Sequence, residues 1–368
     1  MSLILRRKRA AAATKAAGVE ALLVTHLPDV RWLSGFTGSN AALVLDSGRK
    51  GRTAGRAVLF TDGRYTAQAK AEAAGMKVVI AQKAAAVAAS EWMGEARIRR
   101  CGFDEGNTTV ADLAGMRKAL PAALRRKMFE PVGALVAKLR WIKDPGEIKR
   151  MRAAAALGCR LFEDALTTMQ PGMTESAVAA DLEYAARLAG AEAMSFPTIV
   201  ASGPRSSLPH GRATGAKLPR RGFVTLDFGV VLDGYCSDMT RTVHLGRASS
   251  AERDAYDAVL EAQLAGVAAV RAGVSSGDVD EAARSVLRKA GLADWFTHST
   301  GHGVGLEIHE GPRLAAKQTQ ALEAGMVVTI EPGVYMPGKF GVRIEDMVLV
   351  TAKGGEILTP ATKAWIEL

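Results

Sequence analysis

The chain has 368 residues, 48% of them hydrophobic and 23% charged, so it is long enough for two domains with sizeable cores. A formal net charge of +10 suggests nucleic acid as a partner, but the basic clusters RRKR (6–9) and RRK (125–127) lack interleaved aromatic residues. We therefore interpret the charge as scattered basic surface and expect no nucleic-acid partner. No apolar run reaches the ~18 residues of a membrane helix, so we expect no membrane partner.

The first 18 residues place basic residues after a short apolar patch, which predicts a first helix with a solvated basic face rather than a secretory signal. Cys101, Cys159 and Cys236 are far apart and form no Cys-x-x-Cys pair. A disulfide framework or a cysteine zinc site therefore does not follow, and a reducing cytoplasm is the expected location.

Short apolar runs predict buried strands in the first 130 residues, with alanine-rich helical stretches between them. These runs are EALLVTHL (20–27), NAALVLD (40–46), AVLFTD (57–62) and KVVIAQ (77–82). They indicate a small α/β domain, for which we predict the bounds 1–135. A second domain, 136–368, should begin with a long helix after Asp144-Pro145, since Asp is a good N-cap and Pro is tolerated at the first helical position.

The second domain contains an internal repeat. Segments 172–190 and 273–291 carry Gly, Thr or Ser, Val, Arg, Ala and Gly at the same offsets, and each predicts a capped amphipathic helix. A matching strand follows each helix, GFVTLDFG (222–229) and MVVTIEPG (326–333). This self-similarity predicts a duplicated α+β unit whose halves surround a pseudo-twofold axis.

Each half also supplies two acids, and the duplication should bring all four to the centre. The acids are Asp227 and Asp238 in the first half, and Glu331 and Glu345 in the second. Burying like charges together is unfavourable, so a single acid would be expected to pair with Arg241 or Arg343 or to face water. For the symmetric set of four, two divalent cations are the better solution, with a neutral imidazole as a further ligand.

The imidazole should come from the glycine-rich segment 298–312, which holds half of the six histidines of the chain. Glycines at 301, 303 and 305 in this segment should allow the backbone to approach metals and substrate closely. His26 and His244, at the ends of predicted strands, are interpreted as structural.

The motifs LDFGVVLDGYCSDMTRT, GHGVGLEIHEGP, TIEPGVY and GVRIEDM resemble the metal-binding motifs of the pita-bread metallopeptidases, a family that includes aminopeptidase P and prolidase. The resemblance covers nearly all of 140–360. Segments 27–45 and 59–69 resemble the creatinase-like N-terminal domain of Xaa-Pro peptidases. The implied fold is a small creatinase-like α/β domain followed by a pita-bread catalytic domain.

The resemblance assigns a role to each candidate residue. The implied metal ligands are Asp227, Asp238, His302, Glu331 and Glu345, with Asp238 and Glu345 bridging two ions. Mn²⁺ is expected, with Co²⁺ and Zn²⁺ as alternatives. Glu331 would also move protons, and His309 would stabilise the tetrahedral intermediate. His210 would line the pocket beside the scissile bond as a further catalytic residue, and His298 would lie near the leaving proline. Arg343, expected to share a strand face with Glu345, would orient that carboxylate and, like these histidines and His309, contact substrate.

The implied activity is hydrolysis of Xaa-Pro bonds in proline-containing peptides. The motifs GFTGSN, TDGRY and HEGP favour aminopeptidase P, which acts on longer peptides, over prolidase, which splits Xaa-Pro dipeptides. A homo-oligomer is expected, with a dimer favoured. A non-catalytic peptide-binding protein is the alternative from another class, but such relatives have lost metal ligands that this chain retains.

Overall fold

The chain forms two units of structure, Met1–Arg140 and Trp141–Leu368. The computed structural model describes residues 1–73 and 75–368. Every helix in these residues is too short or too polar to span a lipid bilayer. Cys101, Cys159 and Cys236 are buried as free thiols.

The first unit is built on a mixed sheet with the strand order β4-β3-β2-β1-β5-β6. Its strands are β1 (Ala21–Val24), β2 (Ala41–Asp46), β3 (Ala57–Asp62), β4 (Lys77–Ala81), β5 (Cys101–Phe103) and β6 (Phe129–Pro131). The four strands predicted from apolar runs are β1 to β4. The last two were not predicted because three residues are too few to produce a periodic signal.

Helices pack against this sheet and complete an α/β unit. They are α1 (Leu3–Ala16), α2 (Leu27–Ser34), α3 (Thr66–Glu72), α4 (Ala85–Glu95), α5 (Val110–Lys118) and α6 (Leu135–Arg140). Met93 of α4 shares one buried cluster with Val44 and Phe60 of the sheet. The α/β class predicted for this part of the chain is confirmed.

The basic face of α1 is only partly solvated, which corrects the prediction for its cluster of positive charges. Arg6 and Arg7 are each only 7% exposed. Arg6 Nη1 donates to the carbonyl of Trp32 (3.3 Å), and Arg7 Nη1 donates to that of Leu33 (3.0 Å). These carbonyls belong to the last turn of α2, where backbone acceptors lack helical partners, so the two arginines cap that helix.

The second unit contains two helix pairs. The helices are α7 (Pro145–Thr168), α8 (Glu175–Leu188), α9 (Ser250–Ala269) and α10 (Ser276–Lys289). Asp144 caps α7 in a capping box with Glu147, as the Asp-Pro pair predicts. The predicted repeat corresponds to α8 and α10, whose N-caps are Thr174 and Ser275 at the same repeat position.

Strands follow each helix pair. The first half holds β7 (Ala193–Met194), β8 (Ile199–Ser202), β9 (Gly222–Phe228), β10 (Val230–Leu232), β11 (Tyr235–Cys236) and β12 (Met239–Leu245). The second half holds β13 (Gly301–Gly303), β14 (Glu310–Leu314), β15 (Val327–Ile330), β16 (Gly333–Met336), β17 (Phe340–Arg343), β18 (Asp346–Val350) and β19 (Gly355–Ile357).

The two halves use the same strand plan, which confirms the duplicated α+β architecture. In the first, β9 and β12 pair antiparallel in the sheet β12-β9-β8. In the second, β15 and β18 pair antiparallel in the sheet β14-β13-β15-β18-β19. Two short strands separate the members of each pair along the chain, β10 and β11 in one half and β16 and β17 in the other. This plan positions the four acids.

Candidate metal centre

A cavity of about 710 Å³ lies in the second unit, and all candidate site residues line it. The candidate residues are Asp227, Asp238, His302, Glu331, Glu345, His210, His298, His309 and Arg343. The other lining residues are Phe196, Pro197, Ile199, Pro209, Arg212, Ser299, Ile308, Glu310 and Arg313. Five acids, four histidines and several apolar side chains therefore share one cavity, which is typical of a binding site for a small polar ligand.

Each strand of the equivalent pairs β9–β12 and β15–β18 has one of the four acids at or next to its end. Asp227 lies near the end of β9, and Glu331 directly follows β15. Asp238 and Glu345 each directly precede the returning strand, β12 or β18. All four acids therefore lie at or next to strand ends, where the backbone enters or leaves a strand.

Three of the candidate ligands come within bonding range of a single ion. The ligand atoms of Asp238, His302 and Glu345 all lie within 4.8 Å of one another. His302 Nε2 lies 3.6 Å from Asp238 Oδ2 and 3.5 Å from Glu331 Oε1. His302 Nδ1 lies 3.0 Å from the carbonyl of Gly303, which favours the tautomer whose Nε2 is free to bind a metal.

Asp227 is the fourth candidate acid in the cavity lining. Its Oδ2 accepts a hydrogen bond from Arg343, whereas its buried Oδ1 has no hydrogen-bond partner in the described part of the chain. An orphaned buried carboxylate oxygen is costly unless a cation binds it. Asp238, His302 and Glu345 thus fit a divalent cation in geometry, and the donor chemistry of all five side chains, which is oxygen-rich with one imidazole, suits such ions.

The pKa shifts of the clustered acids and of His302 are those expected of a site that binds cations. Burial and the charge of Glu345 raise the pKa of Asp238 and of Glu331 well above their usual ranges. Burial, followed by the charge of Asp227, raises the pKa of Glu345 to about 8. Burial lowers the pKa of His302 to about 4, so its imidazole is neutral and able to act as a ligand at pH 7.

Arg343 contacts a different acid from the one predicted. Its guanidinium pairs directly with Asp227, not with Glu345. It reaches Glu345 only through Thr240, because Arg343 Nε donates to Thr240 Oγ1 (3.1 Å) and Thr240 Oγ1 donates to Glu345 Oε2 (2.7 Å). The predicted shared strand face is wrong, because Arg343 ends β17 whereas Glu345 lies between β17 and β18, and the guanidinium instead reaches Asp227 of β9.

Two threonines that sequence reasoning missed hold the ligands in place. One is Thr240. The other is Thr329, whose Oγ1 accepts from the amide of His302 (3.0 Å) and donates to Glu331 Oε1 (3.3 Å). Each threonine lies two residues from an acid, and residues two apart share one face of a strand. This spacing, in TIE, is a signal that could have identified Thr329, whereas Thr240 bonds Glu345 and not Asp238, the acid two residues before it.

A tyrosine, also missed, links His298 to Arg343. Tyr335 Oη lies 2.9 Å from His298 Nε2 and accepts a hydrogen bond from Arg343 Nη1 (2.7 Å). His298 Nδ1 lies 2.9 Å from the carbonyl of Ser299. Burial, followed by the charge of Arg343, lowers the pKa of His298 to about 4. A neutral His298 with Nδ1 protonated would therefore accept a hydrogen bond from the Tyr335 hydroxyl at Nε2.

The other two cavity histidines are His309, which contacts a candidate ligand, and His210. The rings of His302 and His309 meet edge to face with centroids 4.4 Å apart. Burial, followed by the charge of His210, lowers the pKa of His309. The loop that carries His210 is held by buried Glu175, which accepts hydrogen bonds from Ser202 and Thr214 on either side of it.

The two histidines interpreted as structural lie outside this cavity. His26 Nδ1 lies 3.4 Å from Asp29 in the first turn of α2. His244 is fully buried and its ring stacks on that of Trp365.

The glycines of segment 298–312 serve backbone packing. A Cβ on Gly301 would lie 1.9 Å from the carbonyl oxygen of Thr329, and one on Gly303 would lie 2.1 Å from that of Gly311. Strand β13 lies between β14 and β15, and these neighbours leave no room for a side chain at Gly301 or Gly303. Gly301 and Gly303 thus approach neighbouring backbone atoms, whereas a Cβ on Gly305 would lie 2.7 Å from the carboxylate oxygens of Glu310. Their close approach to metals and substrate stays a prediction.

Comparison with known proteins agrees with this geometry. The sequence model of metallopeptidase family M24 matches residues 149–352, and that of the creatinase/prolidase N-terminal domain matches residues 6–142. An uncharacterized peptidase of Bacillus subtilis is 40% identical over 351 residues, covering 95% of this chain and 96% of that protein.

Solved structures give the same result for the whole chain. An Xaa-Pro dipeptidase from Bacillus anthracis superposes with a TM-score of 0.94 at 38% identity, covering 100% of both chains. An X-Pro aminopeptidase from Thermotoga maritima superposes with a TM-score of 0.86 at 33% identity, covering 97% of this chain and 99% of the other. With a creatinase/prolidase-type N-terminal domain ahead of a pita-bread catalytic domain, the chain belongs to metallopeptidase family M24.

Proposed function

We propose that this chain is a dinuclear metallopeptidase that hydrolyses the bond between an N-terminal residue and proline. The proposed ligands are Asp227, Asp238, His302, Glu331 and Glu345, with Asp238 and Glu345 shared by both ions. The observation that carries the proposal is the convergence of the Asp238, His302 and Glu345 ligand atoms within 4.8 Å, in a cavity that also holds the other two acids.

Divalent ions at this site would supply Lewis acidity that makes water nucleophilic near neutral pH and polarises the substrate carbonyl. Glu331 is proposed to take the proton of the attacking water and pass it to the proline nitrogen as the C–N bond breaks. His309, kept neutral by its lowered pKa, would donate its N–H to the oxyanion of the tetrahedral intermediate. His210 and His298 are proposed to flank the bound peptide.

The comparisons favour dipeptides over longer peptides, which reverses the preference drawn from the short motifs. The structure from B. anthracis, described as an Xaa-Pro dipeptidase, is more similar in both TM-score and identity than the aminopeptidase from T. maritima. The cavity also offers Arg212 and Arg313, and a dipeptide needs a cation for its terminal carboxylate. We therefore propose prolidase-type activity, with aminopeptidase P activity as the alternative.

Hydrolysis of Ala-Pro and Ala-Pro-Ala by the Mn²⁺-loaded protein tests both parts of the proposal. We expect kcat/KM for the dipeptide to exceed that for the tripeptide by at least about tenfold, the effect of one charge-assisted contact. A higher value for the tripeptide would restore aminopeptidase P activity. Cleavage of neither, together with absence of bound metal, would favour a non-catalytic peptide-binding protein.

Arg313→Ala is expected to raise KM for Ala-Pro by on the order of tenfold and to change kcat little, because a contact to a carboxylate that takes no part in bond breaking contributes about equally to ground and transition states. Arg271→Ala, an exposed arginine outside the cavity, is the matched control. An unchanged KM in Arg313→Ala would remove this residue from carboxylate recognition.

The stability of the metal-free protein should fall as pH rises towards 8. Glu345 has a folded pKa of about 8 against an ordinary value of 4.5, so between these values the folded state binds more protons than the unfolded state. Above pH 7.5 the histidines are neutral in both states and do not oppose this trend. Melting curves at pH 7.5 and 8.5 should give a lower Tm at 8.5, and Mn²⁺ should abolish the decrease by replacing the protons. A flat or rising Tm without metal would contradict the assignment.

Mn²⁺ is proposed as the native metal because four of the five ligands are carboxylates, and Co²⁺ or Zn²⁺ would also suit the set. Three free thiols are compatible with the proposed cytoplasmic location. A homodimer stays a prediction, which sedimentation of the purified protein would check.

A further inference from the structure

A buried ionic cluster lies behind the metal centre and outside the cavity lining. Arg241 is 2% exposed and Asp346 is fully buried, and Arg241 Nη2 donates to Asp346 Oδ1 (2.8 Å). Asp346 Oδ2 also accepts from Gln263 (2.9 Å) and from Lys363. Buried ion pairs contribute little net stability, because desolvation offsets their attraction. The role of this cluster is therefore better sought in the geometry that it defines.

The guanidinium of Arg241 joins three separate parts of the chain. On β12 it donates to the carbonyl of Thr240 (2.9 Å), and before β18 it donates to the carbonyl of Glu345. The remaining donors are directed to the C-terminal segment 359–363. The acceptors there are the carbonyls of Thr359 (3.0 Å), Ala361 (2.8 Å) and Thr362 (3.1 Å).

These contacts converge on Glu345 and its partner Thr240. Glu345 stands between β17 and β18, which belong to different sheets. Its amide donates to the carbonyl of Thr240 (3.1 Å), and its carboxylate accepts from Thr240 Oγ1 (2.7 Å). Arg241 binds the backbone carbonyls of both Thr240 and Glu345. It therefore fixes the backbone at Glu345, and with it the direction of the Glu345 carboxylate.

We propose that Arg241 is a positioning residue for the metal centre: held by Asp346 and by the C-terminal segment 359–363, it orients Glu345 for metal binding. The inference rests on the proposed ligand role of Glu345. It makes the C-terminal segment a structural part of the active site, although this segment contributes no residue to the cavity lining. Lysine cannot replace arginine in this role, because its three donors share one nitrogen, whereas Arg241 donates to six acceptors from three nitrogens of a planar fork.

Mn²⁺ titration of the chelator-stripped full-length protein by calorimetry tests the inference directly. Arg241→Lys is expected to keep the far-UV spectrum of the wild type and to bind Mn²⁺ about 10- to 100-fold more weakly, as loss of an outer support of a metal ligand does. Arg247→Lys, an exposed arginine nearby, should bind like the wild type. At saturating Co²⁺, the visible absorption spectrum of Arg241→Lys should also differ from that of the wild type.

Wild-type Mn²⁺ affinity and an unchanged Co²⁺ spectrum in a folded Arg241→Lys variant would overturn the inference, even if its Tm is lowered. Should that variant not fold, Asp346→Asn, which keeps an acceptor for Arg241 but removes the charge, is expected to weaken Mn²⁺ binding by a smaller factor. Wild-type affinity in Asp346→Asn would then overturn it.

The metal-binding readout separates this inference from the peptide specificity. If the wild type binds Mn²⁺ but cleaves no Xaa-Pro peptide, and Arg241→Lys still weakens binding, the inference stands and the proposed function falls. If the wild type cleaves Xaa-Pro peptides and the variant binds Mn²⁺ equally well, the function stands and the inference falls. A wild type that binds no Mn²⁺ would overturn both.

Discussion

Glu331→Gln is expected to lower kcat for Ala-Pro hydrolysis by about 10²- to 10⁴-fold, the usual effect of removing a general acid–base group. The fold should survive, because burial and the charge of Glu345 raise the pKa of Glu331 well above its usual range. Gln matches the protonated form of that carboxyl in shape and charge. Its amide oxygen can also keep the hydrogen bond from Thr329 Oγ1.

Two controls separate proton transfer from loss of metal. Glu323→Gln changes an exposed acid ahead of β15 and should leave kcat unchanged. Metal content, measured by elemental analysis of Glu331→Gln, shows how much of the effect comes from the second proposed role of Glu331 as a ligand. Wild-type kcat in a metal-loaded Glu331→Gln variant would remove its role in moving protons.

Asp238→Asn is expected to weaken Mn²⁺ binding by on the order of 100-fold or more, because even changes outside the ligand shell cost about 10- to 100-fold. Asp238 belongs to the group of three whose ligand atoms lie within 4.8 Å, and we propose that it is shared by two ions. A neutral amide offers one weak oxygen donor and cannot bridge two cations as a carboxylate does. Calorimetric titration with Mn²⁺ measures the loss, and hydrolysis should fall with it.

Asp233→Asn provides a closely matched control five residues earlier in the chain. Asp233 is exposed and has a φ of 50°, a conformation that Asn also tolerates. This variant should bind Mn²⁺ and hydrolyse Ala-Pro like the wild type. Equal Mn²⁺ affinity in Asp238→Asn and Asp233→Asn would exclude Asp238 from the metal centre.

The duplicated architecture and the convergence of the acids could be predicted because both leave a signal within short segments. Helices α8 and α10 preserve their capping residues and spacing, and β9 and β15 preserve an apolar run that ends near an acid. Burying four acids on such strands requires compensation by cations. The sequence thus contained the elements of the site and their approximate placement.

The hydrogen bonds that orient the ligands could not be predicted, because they depend on which strands lie side by side. Thr240 faces Asp227 through the β9–β12 register yet donates to Glu345, more than 100 residues later in the chain. The pairing of Arg343 with Asp227 likewise joins two halves of the repeat. No sequence pattern marked Tyr335 as part of the site. Its side chain is buried like that of an apolar residue, and its hydroxyl makes the contact with His298.

Anomalous diffraction at the manganese edge, from crystals of the Mn²⁺-loaded protein, tests the central claim most directly. We expect two anomalous peaks in the cavity, both in contact with Asp238 and Glu345, one also bound by Asp227 and the other by His302 and Glu331. A single peak, or peaks bound by other side chains, would contradict the dinuclear site on which the proposed hydrolysis depends.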